Sequence, residues 1–196
     1  MTMSKIRVIF INGTSSTGKT TLARNLQKSL SDKWLYMDMD HFIEMMNPEI
    51  AVFDKNHPKF LEKTSGFYAE KSGDGYHIDV GHLGEKILSD MVEQVKNMLE
   101  LGWNIIFVGV RPYEKQLKQI KEKLAKFNPL TIYLYASEEI IQNRELGRDN
   151  RLTGSTIELL KRFEGKNLHD LQFDSGATKV EIIAKEIVEK YDLDNN

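Results

Sequence analysis

Eight consecutive residues, Gly13-Thr14-Ser15-Ser16-Thr17-Gly18-Lys19-Thr20, satisfy the pattern G-x-x-x-x-G-K-[ST] at every fixed position. Glycines at 13 and 18 permit backbone conformations that a Cβ would block, so successive N–H groups can converge on phosphate oxygens at the positive end of the following helix. Lys19 brings a mobile cation to the β- and γ-phosphates, and the Thr20 hydroxyl can enter a Mg²⁺ shell. The chemistry implied is phosphoryl transfer from ATP with Mg²⁺, the nucleotide being held by residues Gly13 to Thr21. The alternative is a Gly/Ser/Thr turn that matches by chance. The apolar run Ile6–Asn12 before the motif and the helical pattern after it supply the strand–loop–helix setting that a phosphate loop requires.

A phosphate donor needs an acceptor site. The run Trp34–Met39 leads into Asp38-Met39-Asp40, and ligands of open α/β sheets sit beyond the carboxyl ends of the strands. Two carboxylates at i and i+2 point the same way if the strand persists and diverge if it has begun to turn. Asp38 is assigned the metal side, with Thr20, and Asp40 the role of base that accepts a hydroxyl proton. The competing reading is that either acid caps a helix starting near His41.

Further along, residues 142–154 read QNRELGRDNRLTG. Arg144 and Arg148 share one helical face, and Arg151 follows one turn later if the helix continues. Planar, always-charged donors suit the charge that spreads over a phosphoryl group in flight. Gly147 and Gly154 give the segment places to bend, so it is expected to form a closing lid. Salt bridges to Glu145 or Asp149 are the ordinary alternative for any one of these arginines.

The elements that must position these groups follow from the hydrophobic pattern. Ile6–Asn12, Trp34–Met39, Asn104–Val110 and Leu130–Ala136 are short apolar runs of the kind buried on both faces of a parallel sheet, with Leu171–Asp174 as a weaker fifth. Helical spacing appears at Lys19–Leu30, Leu83–Leu101 and Val180–Tyr191, and Gly102 stands where a C-terminal cap is expected. The alternation predicts an α/β fold, a three-layer α/β/α sandwich around a five-stranded parallel sheet. Residues 47–81 break the rhythm with Phe53, Phe60, Phe67, Tyr68 and Tyr76, and FYAEK and YHIDV flank a Ser-Gly-Asp-Gly turn, a plausible hairpin. This insertion is expected either to wall an acceptor pocket or to form a small core of its own.

Composition narrows the function classes. One domain over residues 1–196 is expected from the length. The absence of cysteine removes disulfides, thiol nucleophiles and Cys-based metal sites. Net charge −2 and a pI near 6.2 leave no broad basic footprint for nucleic acid. No apolar run approaches the roughly 20 residues of a membrane span, and a cytoplasmic location is expected. His41, His57, His77 and His82 show no convincing metal spacing.

The blocks IRVIFINGTSSTGKTTLARNLQ, WLYMDMDHFIEMM, SGDGYHIDVG, RELGRDNRLTG and LHDLQFDSGATKVEIIAKEI together resemble the chloramphenicol phosphotransferase-like family of P-loop kinases. The resemblance implies a shikimate- or adenylate-kinase-like core, ATP with Mg²⁺, and transfer to a hydroxyl of a small molecule. It places Asp40 on the family's base and Arg144, Arg148 and Arg151 on its lid arginines. The chain departs from the family where the third strand usually ends in an acidic pair, here Val108-Gly109-Val110-Arg111. Arg111 is expected either to hold an anionic group of the acceptor or to mark an exposed helix start after Pro112.

The leading expectation is an enzyme, a small-molecule kinase whose acceptor includes antibiotic-like alcohols. The alternatives are a nucleotide or nucleoside kinase, and a protein that binds or sequesters ATP with little turnover, which the missing acid favours. The sequence leaves the acceptor and the oligomeric state open.

Overall fold

The computed structural model describes residues 5–30, 33–73, 75–111, 113–146, 155–163 and 166–193. In chain order, β1 (Val8–Asn12) leads to α1 (Lys19–Ser29), β2 (Trp34–Asp38) and α2 (Met39–Glu44). A hairpin of β3 (Phe67–Ser72) and β4 (Gly75–Val80) follows, then α3 (His82–Glu100), β5 (Asn104–Gly109) and α4 (Glu114–Leu124). The remainder is β6 (Pro129–Tyr135), α5 (Glu138–Leu146), α6 (Ser155–Lys161), β7 (Leu171–Asp174) and α7 (Val180–Tyr191).

The sheet has five parallel strands in the order β2-β5-β1-β6-β7. Every residue of β1 and β5 is buried, as strands must be when helices cover both faces. Alternation sorts their side chains. Ile9, Ile11, Ile106 and Val108 pack with Leu22 and Leu26 of α1 and Ile183 and Ile187 of α7. Val8, Phe10, Ile105 and Phe107 pack on the other face with Met91, Val95 and Leu99 of α3 and Leu117, Ile120 and Leu124 of α4. Helix, sheet, helix is therefore the layering that the apolar runs predict, and each observed strand falls within two residues of its expected bounds.

The insertion folds as a hairpin, with Lys71 opposite Tyr76 and Ser72 opposite Gly75. Its aromatics divide between the two expected roles. Phe60 and Tyr76 meet edge to face at 5.1 Å over Ala69 and Ile78 in a small cluster of their own, whereas Phe53 and Phe67 face a cavity.

The strand order puts three carboxyl ends side by side. β1 opens into the glycine-rich loop, β2 ends on Asp38, and β5 ends just before Arg111. In the segment expected to form a lid, α5 carries Arg144 and ends at Leu146. Arg148 and Arg151, with Gly147 and Gly154, lie outside the described residues. Among the described residues no helix is long and apolar enough to cross a membrane.

Candidate active site

The loop after β1 is built around glycine conformations. Gly13 has φ +149°, and a Cβ there would stand 2.1 Å from the Leu134 carbonyl oxygen of β6. Gly18, at φ +92°, is the N-cap of α1, where no side chain bonds the cap and no acid lies in the first turn. The first-turn amides of a helix have no intrahelical acceptor, so this end keeps its donors and its positive dipole for a ligand. Lys19 is buried, and its Nζ donates to the Thr14 carbonyl at 2.6 Å. Thr17 Oγ1 donates to the same carbonyl at 2.9 Å, which holds the loop in a ring. Thr14 Oγ1 and Ser16 Oγ are buried without a hydrogen-bond partner, a cost of about 1–3 kcal/mol apiece that a phosphate oxygen would remove. Ser15 and Thr21 flank these groups in the loop and the first turn of α1. The donor set fits a nucleotide's phosphates.

Strand β2 ends at Asp38, and the two acids therefore diverge. Asp38 is the N-cap of α2, its Oδ1 accepting the Asp40 N–H at 3.1 Å, while Asp40 stands in the first helical turn and lines the cavity. Asp38 thus both caps and faces the phosphate loop, since Thr20 Oγ1 lies 3.4 Å from its Oδ2. A hydroxyl and a carboxylate so placed are hard oxygen donors of the kind Mg²⁺ takes. Tyr36, two residues earlier on the same face of β2, donates its hydroxyl to Asp38 Oδ2, and Arg24 of α1 covers its ring at 3.9 Å. Burial, and then the bond to Asp38, push the Tyr36 phenol well above its ordinary range, so it remains an O–H donor. The sequence offered a signal for Tyr36 in its i, i+2 spacing from Asp38; it offered none for Arg24.

Arg111 does not mark an exposed helix start. It is 5% exposed, with Nη1 donating to the Val110 carbonyl at 3.1 Å and Nη2 to the Leu88 carbonyl at 3.2 Å. Burial lowers its guanidinium to about 10, with Glu85 opposing that shift, so it is still a cation at neutral pH. Among the described residues no carboxylate lies within ion-pair distance of it.

Asp40 and Arg111 share a cavity of about 460 Å³. Met39, Ile43, Phe53, Phe67, Ile78, Val80, Leu88 and Leu159 give it apolar walls, and Ser15 of the phosphate loop reaches its rim. His77 Nδ1 and Gln116 Oε1, from two lining residues, are buried without a partner. On the hairpin, ligand atoms of Glu70, His77 and Asp79 lie within 4.8 Å of one another, a grouping that histidine spacing alone does not disclose.

Arg144 reaches the phosphate loop from the other side. Its Nη1 donates to the Ser16 carbonyl and to Ser175 Oγ, both at 3.1 Å, and its Nη2 to the Ser175 carbonyl at 2.9 Å. Ser175, which follows β7, escaped the sequence reading because nothing local distinguishes it.

Solved structures share this architecture. A sugar kinase of Janibacter sp. HTCC2649 superposes with a TM-score of 0.69 at 16% identity, covering 96% of this chain and 95% of that one. A gluconokinase of Sinorhizobium meliloti 1021 gives 0.63 at 14% identity, covering 96% and 93%. A shikimate kinase of Acinetobacter baumannii gives 0.56 at 19% identity, covering 95% and 93%. In sequence, a candidate O-phosphotransferase of Mycobacterium tuberculosis H37Rv is 23% identical over 189 residues, 96% of this chain and 84% of that one. The fold and the loop that opens α1 define a kinase of the P-loop class. Within it, the chain belongs to the chloramphenicol phosphotransferase-like family, whose model matches residues 6–192, and it is a small-molecule kinase.

Proposed function

We propose that the chain transfers the γ-phosphate of ATP, with Mg²⁺, to a hydroxyl of a small, partly apolar alcohol that is not itself phosphorylated. The observation that carries this reading is one cavity bordered by both the phosphate loop, through Ser15, and the carboxylate of Asp40.

The chain's own groups divide the work. Residues 13–21 hold the triphosphate through main-chain amides and hydroxyls, and Lys19 leaves the Thr14 carbonyl for a phosphate oxygen. Thr20 and Asp38 would hold Mg²⁺, which neutralises developing charge on the phosphates. Asp40 accepts the proton of the acceptor hydroxyl. Arg144, already on the Ser16 carbonyl, supplies charge at the transferring group, and Arg148 and Arg151, which lie outside the described residues, are assigned the same role. Arg111, another lining residue, holds the acceptor.

The walls argue for the acceptor class. Phe53, Phe67 and the aliphatic side chains suit a ring or alkyl portion of the acceptor. The family's description names chloramphenicol, an aromatic alcohol with an amide, and apolar walls of this kind would suit a compound of that shape. A nucleoside monophosphate suits them less, because the described lining holds four carboxylates, Asp40, Glu44, Asp79 and Glu85, against two guanidiniums, Arg111 and Arg162. Screening ADP release against a panel of neutral alcohols, antibiotics and nucleoside monophosphates tests the reading. Acceptor-dependent release with an unphosphorylated alcohol is expected. Tight ATP binding with no stimulation by any alcohol would favour a sequestering protein, and stimulation by monophosphates alone would favour a nucleotide kinase.

A further inference from the structure

Asn12 closes β1 and is fully buried. Its Oδ1 accepts the N–H of Gly13 at 3.0 Å and that of Arg111 at 2.9 Å. Its Nδ2 donates to the Arg111 carbonyl at 3.0 Å and lies 3.1 Å from His169 Nε2. A backbone N–H only donates and a carbonyl only accepts, so the amide can stand in one orientation, and Nδ2 must donate to the ring. His169 Nδ1 lies 3.0 Å from the Lys166 carbonyl, which requires the ring proton to sit on Nδ1. A neutral ring so protonated has its lone pair on Nε2, where Asn12 supplies a proton.

Every donor and acceptor of this side chain is therefore used. Strand register pairs Asn12 with Gly109; beyond it, the side-chain amide bonds both the N–H and the carbonyl of residue 111, as a further strand residue would. One side chain thus joins the first turn of the phosphate loop to the turn that delivers Arg111 to the cavity.

We propose that Asn12 and His169 are a positioning pair: the neutral, Nδ1-protonated imidazole orients the Asn12 amide, which holds the phosphate loop and Arg111 in one register. The proposal rests on the reading of residues 13–21 as a nucleotide site. A second proton on His169 would set N–H against N–H. Asn12 could turn its oxygen toward that proton only by surrendering the Gly13 and Arg111 bonds, so nucleotide affinity falls as His169 becomes charged.

Three described groups lie nearest this pair. From β6, Tyr133 lies ring to ring at 5.4 Å, with its phenol raised to about 12 by burial and so uncharged at neutral pH. The neighbouring Asp170 is committed to Thr131 and to Lys121 of α4 at 3.0 Å. Beyond Asn12, Arg111 turns its guanidinium to Val110 and Leu88.

Asn12→Asp inverts the requirement, because a carboxylate facing His169 Nε2 and the Arg111 carbonyl needs a proton there. MgATP dissociation constants by calorimetry from about pH 8 to pH 5, the range over which histidine charges, test this as the variant-to-wild-type ratio. Titration of ATP itself cancels in that ratio. A ratio of about 10–100 at pH 8, the loss expected for unpaired buried groups, should shrink to within about threefold at pH 5. A ratio independent of pH would overturn the proposal. Failure of the wild type to bind MgATP at pH 8 would instead overturn the nucleotide reading. Imidazole ¹⁵N shifts of the wild-type protein decide the tautomer even if the variant does not fold: Nδ1–H is expected, and Nε2–H at neutral pH would refute the pair.

Discussion

Asp38 Oδ1 accepts the backbone N–H of Asp40 at 3.1 Å, so one carboxylate orients the helical turn that carries the other. Asp38 spends one oxygen on this cap and turns the second toward Thr20 and Tyr36. Asp40, two residues on, lines the cavity. The proposed division into a phosphate-side acid and an acceptor-side acid follows from β2 ending at residue 38.

Tyr36→Phe removes the hydroxyl that holds Asp38 Oδ2 but leaves the ring under Arg24. The Mg²⁺ concentration for half-maximal turnover is expected to rise about tenfold, the effect of losing a group that orients a metal ligand. Nucleotide binding in EDTA should change less than twofold. Titrating Mg²⁺ in a coupled ADP assay checks this; an unchanged Mg²⁺ requirement would separate Asp38 from the metal.

Lys19→Ala deletes the cation that rests on the Thr14 carbonyl at 2.6 Å. Charge-assisted bonds contribute roughly 1.5–3 kcal/mol each, so MgATP affinity should fall at least tenfold while the melting temperature moves by only a few degrees. Calorimetry beside thermal unfolding distinguishes this from general destabilisation.

Gly13→Ala places a methyl 2.1 Å from the Leu134 oxygen at a φ of +149°. Strained backbone of this kind costs about 1–3 kcal/mol before the clash is counted. Denaturant unfolding should show a loss of at least that size, with MgATP binding abolished or reduced by more than tenfold. Near-normal values for both would mean that the loop is not built as described.

Arg111→Met removes a buried cation that has two carbonyl partners and, among the described residues, no ion pair. Stability should change by less than about 2 kcal/mol, since the desolvation cost of the charge disappears with its bonds. The acceptor KM is expected to rise at least tenfold with the KM for ATP unchanged. A selective rise in the KM for ATP would remove Arg111 from the acceptor side.

Much of this arrangement was legible in the sequence because its signals are local. The glycine-rich loop is a contiguous pattern, and the strand Ile6–Asn12 announces itself by a nearly uninterrupted apolar run; likewise the Ser-Gly-Asp-Gly turn lies between the short segments FYAEK and YHIDV. The divergence of Asp38 and Asp40 was left open, because capping and strand persistence differ by one residue of backbone. Arg111 was harder: a charged residue before proline reads equally well as an exposed helix start, and its burial depends on Met39 of α2 and Leu88 of α3 meeting its guanidinium. Asn12, His169, Ser175 and Arg24 act through partners up to 157 residues away, a relation that no local spacing encodes. Of the segment 142–154, Arg144 meets the phosphate loop at the Ser16 carbonyl, while Arg148 and Arg151 lie outside the described residues, so the lid itself stays an expectation from sequence.

Asp40→Asn puts the central claim to the most direct test, because it keeps the side-chain shape and removes the proton acceptor. Transfer of γ-labelled phosphate to an accepted alcohol should fall by about 10²–10⁴, the contribution of a positioned base, with MgATP affinity within a few-fold of the wild type. Undiminished transfer in the variant, measured at saturating ATP and acceptor, would contradict the account.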